Sequence, residues 1–129
     1  YADAMMAFYQ RHVCRLDPWP ECLNRSIEKL MRNPEVYMTM FGPSEFHVTG
    51  NLKDWDITEH LGEIHVPTLI TSGRYDEATP AIAGTVHRGI TGSKWVLFDH
   101  SAHESHSEET ERYIEVLRTF LDEVERRNP

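Results

Sequence analysis

The chain has 129 residues, of which 40% are hydrophobic and 10% aromatic, and its formal net charge is −8 at pH 7. The acidic balance argues against a surface for nucleic acid or anionic membranes, because both are negatively charged. Apolar runs extend for only a few residues, so no transmembrane helix is predicted. We expect a cytoplasmic protein in which Cys14 and Cys22 are reduced thiols, although a disulfide between them stays open.

The first fifty residues are predicted to be helical. Apolar residues at near-helical spacing favour helices over 2–14 and 21–32, with a proline-rich break between them. The Asn33-Pro34 pair begins a third, short helix, which Gly42 ends. Polar residues after this helical region mark the change to a segment of alternating strands and helices.

The second half of the chain alternates strands and helices. A β-branched, apolar run predicts a strand over 68–72, and a second strand follows over 94–98. Pro80 begins a helix of about ten residues between them. This order predicts two parallel strands joined by a helical crossover, which is typical of an α/β fold.

The clearest helix is the last one. Ser105 and Glu108 have the spacing of a capping box. The helix carries an apolar stripe that we expect to be buried, formed by Tyr113, Leu117, Phe120, Leu121 and Val124. Both features predict a helix that packs on the sheet.

An acid and a histidine follow the two predicted strands. Asp76 comes just after the first strand, and His103 comes after the second. The carboxyl ends of parallel strands meet at one edge of a sheet, so the two side chains are expected to lie together. A carboxylate that orients an imidazole is two-thirds of a Ser-His-Asp triad. An isolated Asp in a turn would otherwise be a simple capping or turn residue.

The turn after the second strand holds three histidines spaced three residues apart, His100, His103 and His106. Zinc sites on helices favour the i, i+4 pair, and no acidic or thiol ligand completes this set. We therefore predict no metal site and no cofactor. His100 and His106 are interpreted as flanking groups that either lie on the surface or support His103 without reaching the substrate.

Three stretches carry a resemblance to a known family. They are RHVCRLDPWPE at 11–21, VYMTMFGPSEFHVTGNLKDWD at 36–56 and the run from Val66 to His106 with its GRYDE motif. Together they resemble proline iminopeptidases and related amino-acid amidases. The resemblance implies an α/β-hydrolase fold, with residues 1–50 as the C-terminal part of a helical cap and residues 51–129 as the C-terminal part of the core.

The nucleophile motif of that family is absent. α/β-Hydrolases carry their Ser in a G-x-S-x-G turn between a strand and a helix. Gly92-Ser93 lacks the second glycine and the preceding strand, and Ala102 stands where the family usually has Gly before the histidine. We therefore expect the C-terminal part of a longer enzyme, which is inactive alone and needs the N-terminal part of the hydrolase on the same or a separate chain.

The resemblance also implies roles for individual residues. Asp76 and His103 match the triad acid and base, while Glu45 and Glu77 match the carboxylates that hold the substrate's α-ammonium. Paired carboxylates suit an ammonium in a partly desolvated pocket. Tyr37 and Phe46 are interpreted as lining the pocket for the first side chain; aromatic residues at helical spacing are more often core residues, so that alternative stays open.

The expected partner is therefore a peptide or amino-acid amide substrate, without nucleic acid or membrane. Two other functions stay open. One is a different α/β-hydrolase, such as an esterase or epoxide hydrolase, which Glu45 and Glu77 argue against because a neutral substrate needs no anionic anchor. The other is a hydrolase-like binding chain without catalysis, which would also lack a nucleophile.

Overall fold

A computed structural model describes residues 1–127. Contacts divide the chain into two compact units. The first contains Tyr1–Asp17 together with the chain from Thr58 onward, and the second is Pro18–Ile57. The described helices include none that is long and apolar enough to cross a membrane.

The predicted division into a cap over residues 1–50 and a core over residues 51–129 stays a prediction. The two compact units reflect contacts within this chain and do not by themselves identify a cap or a core. Residues 128 and 129, at the end of the predicted core segment, lie outside the described range.

The first unit contains a two-stranded sheet and its helices. In chain order the elements are α1 (Ala2–His12), a 3₁₀ helix (Thr58–Glu63), β1 (Leu69–Gly73), α4 (Pro80–Gly89), β2 (Lys94–Phe98), α5 (Ser105–Glu108) and α6 (Thr110–Arg127). The predicted strands and the intervening helix therefore form within a residue or so of their expected bounds.

The two strands pair in parallel, as predicted. The register runs from Leu69 opposite Lys94 to Gly73 opposite Phe98. Phe98 is fully buried, and its burial anchors the end of β2 in the core. Because the last residues of both strands are partners, the loops that follow them begin side by side.

Helix α4 lies on the sheet and connects the strands. Pro80 occupies the first turn, where its missing N–H leaves no helical bond unmade. Gly84 is buried, and a Cβ there would meet the ring of Trp95 at van der Waals distance. The indole of Trp95 donates a hydrogen bond from Nε1 to Ser72 Oγ at 2.9 Å. This contact joins the two strands through their side chains.

The predicted capping box of the last helix is wrong. The helical region is divided into α5 and α6, and no side-chain hydrogen bond caps α5. Ser105 Oγ donates instead to the carbonyl of Ala102 at 3.3 Å. Glu108 accepts hydrogen bonds from the backbone N–H groups of Arg15 and Ala102, each at 2.8 Å. These N–H groups come from other segments and compete successfully with a local cap.

The second unit consists of α2 (Glu21–Arg32), α3 (Glu35–Met40) and the turn that follows them. Gly42 has a φ of +105°, a left-handed conformation that glycine adopts readily. It reverses the chain, so that the N–H groups of Thr49 and Gly50 both donate to the carbonyl of Phe41. The reversal leads into a turn over residues 44–47, which is closed by a bridge between Ser44 and His47 and in which Phe46 and His47 are exposed.

Candidate active site

The acid-bearing loop after β1 runs directly along the histidine-bearing loop after β2. Gly73, the last residue of β1, lies so close to the second loop that a Cβ would be 2.1 Å from the carbonyl oxygen of Ala102 and 2.4 Å from that of Ser101. Beyond it, Arg74 N donates to Phe98 O at 2.9 Å, and Tyr75 N donates to Ser101 O at 3.0 Å. Backbone hydrogen bonds thus align the two loops residue by residue.

Asp76 is a buried carboxylate with donors on both oxygens. The residue is 7% exposed. Its Oδ1 accepts a hydrogen bond from Ala78 N at 2.9 Å, and its Oδ2 accepts one from Gly73 N at 3.4 Å. Buried charge is tolerated when it is hydrogen-bonded in this way. The backbone therefore fixes the direction of the carboxylate.

The imidazole of His103 completes the arrangement. Its Nδ1 lies 2.9 Å from Asp76 Oδ1, and 49% of its side chain is exposed. The carboxylate can only accept, so Nδ1 carries the proton, and Nε2 is the basic nitrogen of the neutral ring. The hydrogen bond to Asp76 raises the pKa of His103; burial opposes the rise, and the negative charges of Asp76, Glu77 and Glu104 add to it.

Two adjacent glutamates, Glu108 and Glu109, bind the histidine loop through hydrogen bonds. Glu109 Oε2 accepts from Ser101 Oγ at 2.6 Å and from His100 N at 3.1 Å, while Glu108 accepts from the buried Ala102. Burial tends to raise the pKa of Glu109, but its hydrogen bonds to Ser101 and His100 and the charge of Arg112 lower it below its ordinary value. The loop before His103 is thus fixed by charge-assisted bonds.

Glu77 lies beside the dyad. It directly follows Asp76, is partly buried, and donates its backbone N–H to the carbonyl of His12 at 3.1 Å. Its charge contributes to the raised pKa of His103. The structure therefore brings three of the predicted site residues, Asp76, Glu77 and His103, into one cluster.

The other predicted site residues belong to the second unit. Tyr37 Oη donates a hydrogen bond to the carboxylate of Glu45 and accepts one from Glu45 N at 3.1 Å. The Tyr37 ring stacks on Phe41 at 5.1 Å between centroids. Phe46, in the same turn, is 46% exposed. Tyr37 thus orients Glu45, a contact that its predicted place in a pocket wall did not include.

The histidines of the second loop form no metal cluster. His100 uses its backbone to bind Glu109, and His106 Nε2 lies 3.2 Å from Glu104. Over residues 1–127, no group of three or more His, Cys, Asp or Glu side chains has a geometry that would hold a metal ion.

Sequence reasoning missed the residues that support the dyad. Gly73, Glu108, Glu109 and His12 all contact the loops that carry Asp76 and His103. His12 lies in the RHVCR stretch and Gly73 begins the GRYDE motif, and both stretches carry the family resemblance. The contacts of Glu108 and Glu109 depend on long-range packing, which no local pattern reveals.

The parallel strands with their acid- and histidine-bearing loops, together with the similarities that follow, define a fold class: the chain has the fold of the C-terminal portion of an α/β-hydrolase. It is 44% identical over 124 residues to a curated protein named proline iminopeptidase from Saccharolobus solfataricus, covering 96% of this chain and 40% of that protein. The crystal structure of VinJ matches with a TM-score of 0.90 at 42% identity, covering 96% of this chain and 42% of that one. No family model matches the chain.

A second solved structure, that of the proline iminopeptidase of Mycobacterium smegmatis, matches with a TM-score of 0.90 at 36% identity over 96% of this chain and 42% of that one. These similarities confirm the predicted resemblance to proline iminopeptidases and the predicted α/β-hydrolase fold class. The chain spans about 40% of the length of the curated relatives that it matches.

Proposed function

We propose that this chain supplies the acid and the base of a Ser-His-Asp triad in a serine aminopeptidase of the proline iminopeptidase type. The substrate is a peptide or amino-acid amide with a free N-terminal residue. The observation that carries the proposal is the 2.9 Å hydrogen bond between Asp76 Oδ1 and His103 Nδ1 at the carboxyl ends of two neighbouring parallel strands. The nucleophilic serine belongs to a part of the enzyme outside this chain.

In this mechanism His103 Nε2 takes the proton of the serine hydroxyl as its oxygen attacks the carbonyl carbon of the first substrate residue. Asp76 keeps the other proton on Nδ1 and stabilises the imidazolium. The imidazolium then gives its proton to the leaving amine, and an acyl-enzyme remains. Water, deprotonated by His103, attacks the acyl-enzyme and releases the amino acid. These reaction steps require no cofactor.

The proposal assigns the substrate's α-ammonium to Glu45 and Glu77. A protonated amine in a partly desolvated site needs carboxylates that accept charge-assisted hydrogen bonds. Support comes from the geometry around each residue: Tyr37 holds the Glu45 carboxylate, and Glu77 lies next to the dyad. Tyr37 and Phe46 are also proposed to contact the first side chain of the substrate.

Steady-state kinetics of the complete enzyme that contains this chain test the proposal. The substrates are an aminoacyl p-nitroanilide and a p-nitrophenyl ester without an amino group. Glu45→Gln or Glu77→Gln should lower kcat/KM for the anilide by roughly one to three orders of magnitude, because a shielded charge-assisted bond is lost. The ester should lose far less, since it never used the carboxylates.

Glu63→Gln is the matched control, because Glu63 is an exposed carboxylate paired with His60, and it should leave both substrates unchanged. Equal losses on both substrates for the Glu45 and Glu77 variants would mean that these residues support the fold or the triad. Activity on the ester alone would favour an esterase. An enzyme inactive on both, with an intact dyad, would favour a binding chain.

A further inference from the structure

His12, the last residue of α1, contacts both catalytic loops. Its backbone carbonyl accepts hydrogen bonds from Glu77 N at 3.1 Å and from His103 N at 3.3 Å. Its ring nitrogen Nδ1 lies 2.7 Å from the carbonyl oxygen of Tyr75. A single residue outside both loops therefore reaches the residues before and after Asp76, and the backbone of His103 itself.

The chemistry of these groups fixes the state of the His12 ring. A carbonyl oxygen can only accept a hydrogen bond, so Nδ1 of His12 must carry a proton and donate it. The donated bond holds the peptide that leads into Asp76, while the carbonyl of His12 holds the peptide that follows it. The acid is thereby clamped from both sides.

We infer that His12 is a positioning residue for the triad, whose imidazole and carbonyl hold the Asp76 loop against the His103 loop. The inference rests on the proposed function and adds a residue to it. His12 does not touch the reacting atoms in this scheme; it acts through the placement of Asp76.

The His12 ring is itself held in place. It packs against Phe8, one turn earlier in α1, with 4.7 Å between ring centroids. On the other side of the clamp, the Arg15 guanidinium lies 3.7 Å over the centre of the Tyr75 ring, and Glu104 N donates to Val13 O at 3.0 Å. Several contacts therefore hold the end of α1 against the two loops, so its hydrogen bonds can set the position of Asp76.

Three substitutions of His12 separate the donor from the ring. In Asn the amide nitrogen is bonded to Cγ, as Nδ1 is in His, so His12→Asn keeps a donor near the Tyr75 carbonyl. His12→Gln carries the same amide one atom further out, and His12→Phe keeps the ring without a donor. His60→Phe is the matched control, because His60 pairs only with the exposed Glu63 in the described structure.

The complete enzyme should keep kcat within about threefold in His12→Asn. In His12→Gln and His12→Phe it should lose about 10- to 100-fold, mainly in kcat, because small displacements of a catalytic group have effects of this size. The pKa of His103, followed by NMR of labelled histidines, should fall in the same two variants, since Asp76 is no longer held against the ring. His60→Phe should change neither readout.

Equal kcat and equal His103 titration in the Asn, Gln and Phe variants would overturn the inference, as would a loss confined to KM. If His12→Phe does not fold, the Asn and Gln pair decides, because both carry the same amide. An unsubstituted enzyme without activity would refute the proposed function alone; the His103 titration would still test His12.

Discussion

Asp76→Asn separates the orienting and the charge-stabilising parts of the dyad, and the structure predicts which part survives. Asp76 Oδ1 accepts from both Ala78 N and His103 Nδ1 at 2.9 Å, whereas Oδ2 accepts only the longer 3.4 Å bond from Gly73 N. An Asn amide should therefore place its oxygen at the Oδ1 position. The opposite orientation would set its NH₂ against the fixed N–H of Ala78.

In the preferred orientation His103 keeps its proton on Nδ1, and only the negative charge is lost. A hydrogen bond to a charged group contributes about 1.5–3 kcal/mol, against about 0.5–1.5 kcal/mol for a neutral one, and the charge also stabilises the imidazolium. A total loss of about 1.5–3 kcal/mol corresponds to a decrease in kcat/KM of roughly 10- to 160-fold. A reversed tautomer would cost about 10⁴-fold, as in other triads.

The assay is kcat/KM of the complete enzyme on the aminoacyl anilide and on the ester, measured across pH. Both substrates should lose equally, because both need His103. The basic form of His103 should also appear at lower pH, since the hydrogen bond to Asp76 is the main cause of its raised pKa. Asp99→Asn is the control, because Asp99 is an exposed carboxylate that pairs with Arg74 on the neighbouring turn.

A loss of 10⁴-fold would refute the orientation argument. A loss under about threefold would refute the role of Asp76 in catalysis.

Two further predictions concern the support of the loops. Gly73→Ala should lower the free energy of unfolding by roughly 1–3 kcal/mol and reduce activity, because its Cβ would lie 2.1 Å from the backbone of the histidine loop. Gly62→Ala is the control, since nothing lies within 4 Å of its Cβ, and it should change neither quantity. Urea denaturation measures the stability and steady-state kinetics the activity. Glu109, whose side chain is 13% exposed, has a lowered pKa in the folded state, so its contribution is present above the unfolded pKa and is lost as pH falls through the folded one. Glu109→Gln should therefore flatten the acid side of the stability curve measured by urea denaturation, and an unchanged slope would contradict this.

The fold was predictable where local signals agree with tertiary packing. The β-branched run over 68–72, Pro80 and the apolar run over 94–98 each specify one element, and two strands separated by one helix imply parallel pairing. That topology also placed Asp76 and His103 at one edge of the sheet. The dyad geometry thus followed from chain order rather than from a motif.

Prediction failed where a side chain had a choice of partners. The Ser105-x-x-Glu108 pattern fits a capping box, but Glu108 binds the N–H groups of Arg15 and Ala102, two backbone donors that a local pattern cannot locate. The carbonyl of His12 is a similar case, since every residue has a carbonyl and only the fold determines which one meets the loops that carry Asp76 and His103. The expected burial of the apolar stripe on α6 is also wrong within this chain: no residue of α6 is buried, and Leu117 and Leu121 are exposed.

Within the proposed enzyme, orienting the dyad and covering the apolar face of α6 are tasks of different parts of the protein. The bonds that fix Asp76 and His103 come from His12, Gly73 and Ala78, all within the first contact unit. Dyad geometry is therefore a property of this unit. Leu117 and Leu121, by contrast, are apolar side chains that remain exposed within this chain. We expect the remaining part of the hydrolase to supply that cover together with the nucleophile, so that the serine is brought to a base that is already oriented.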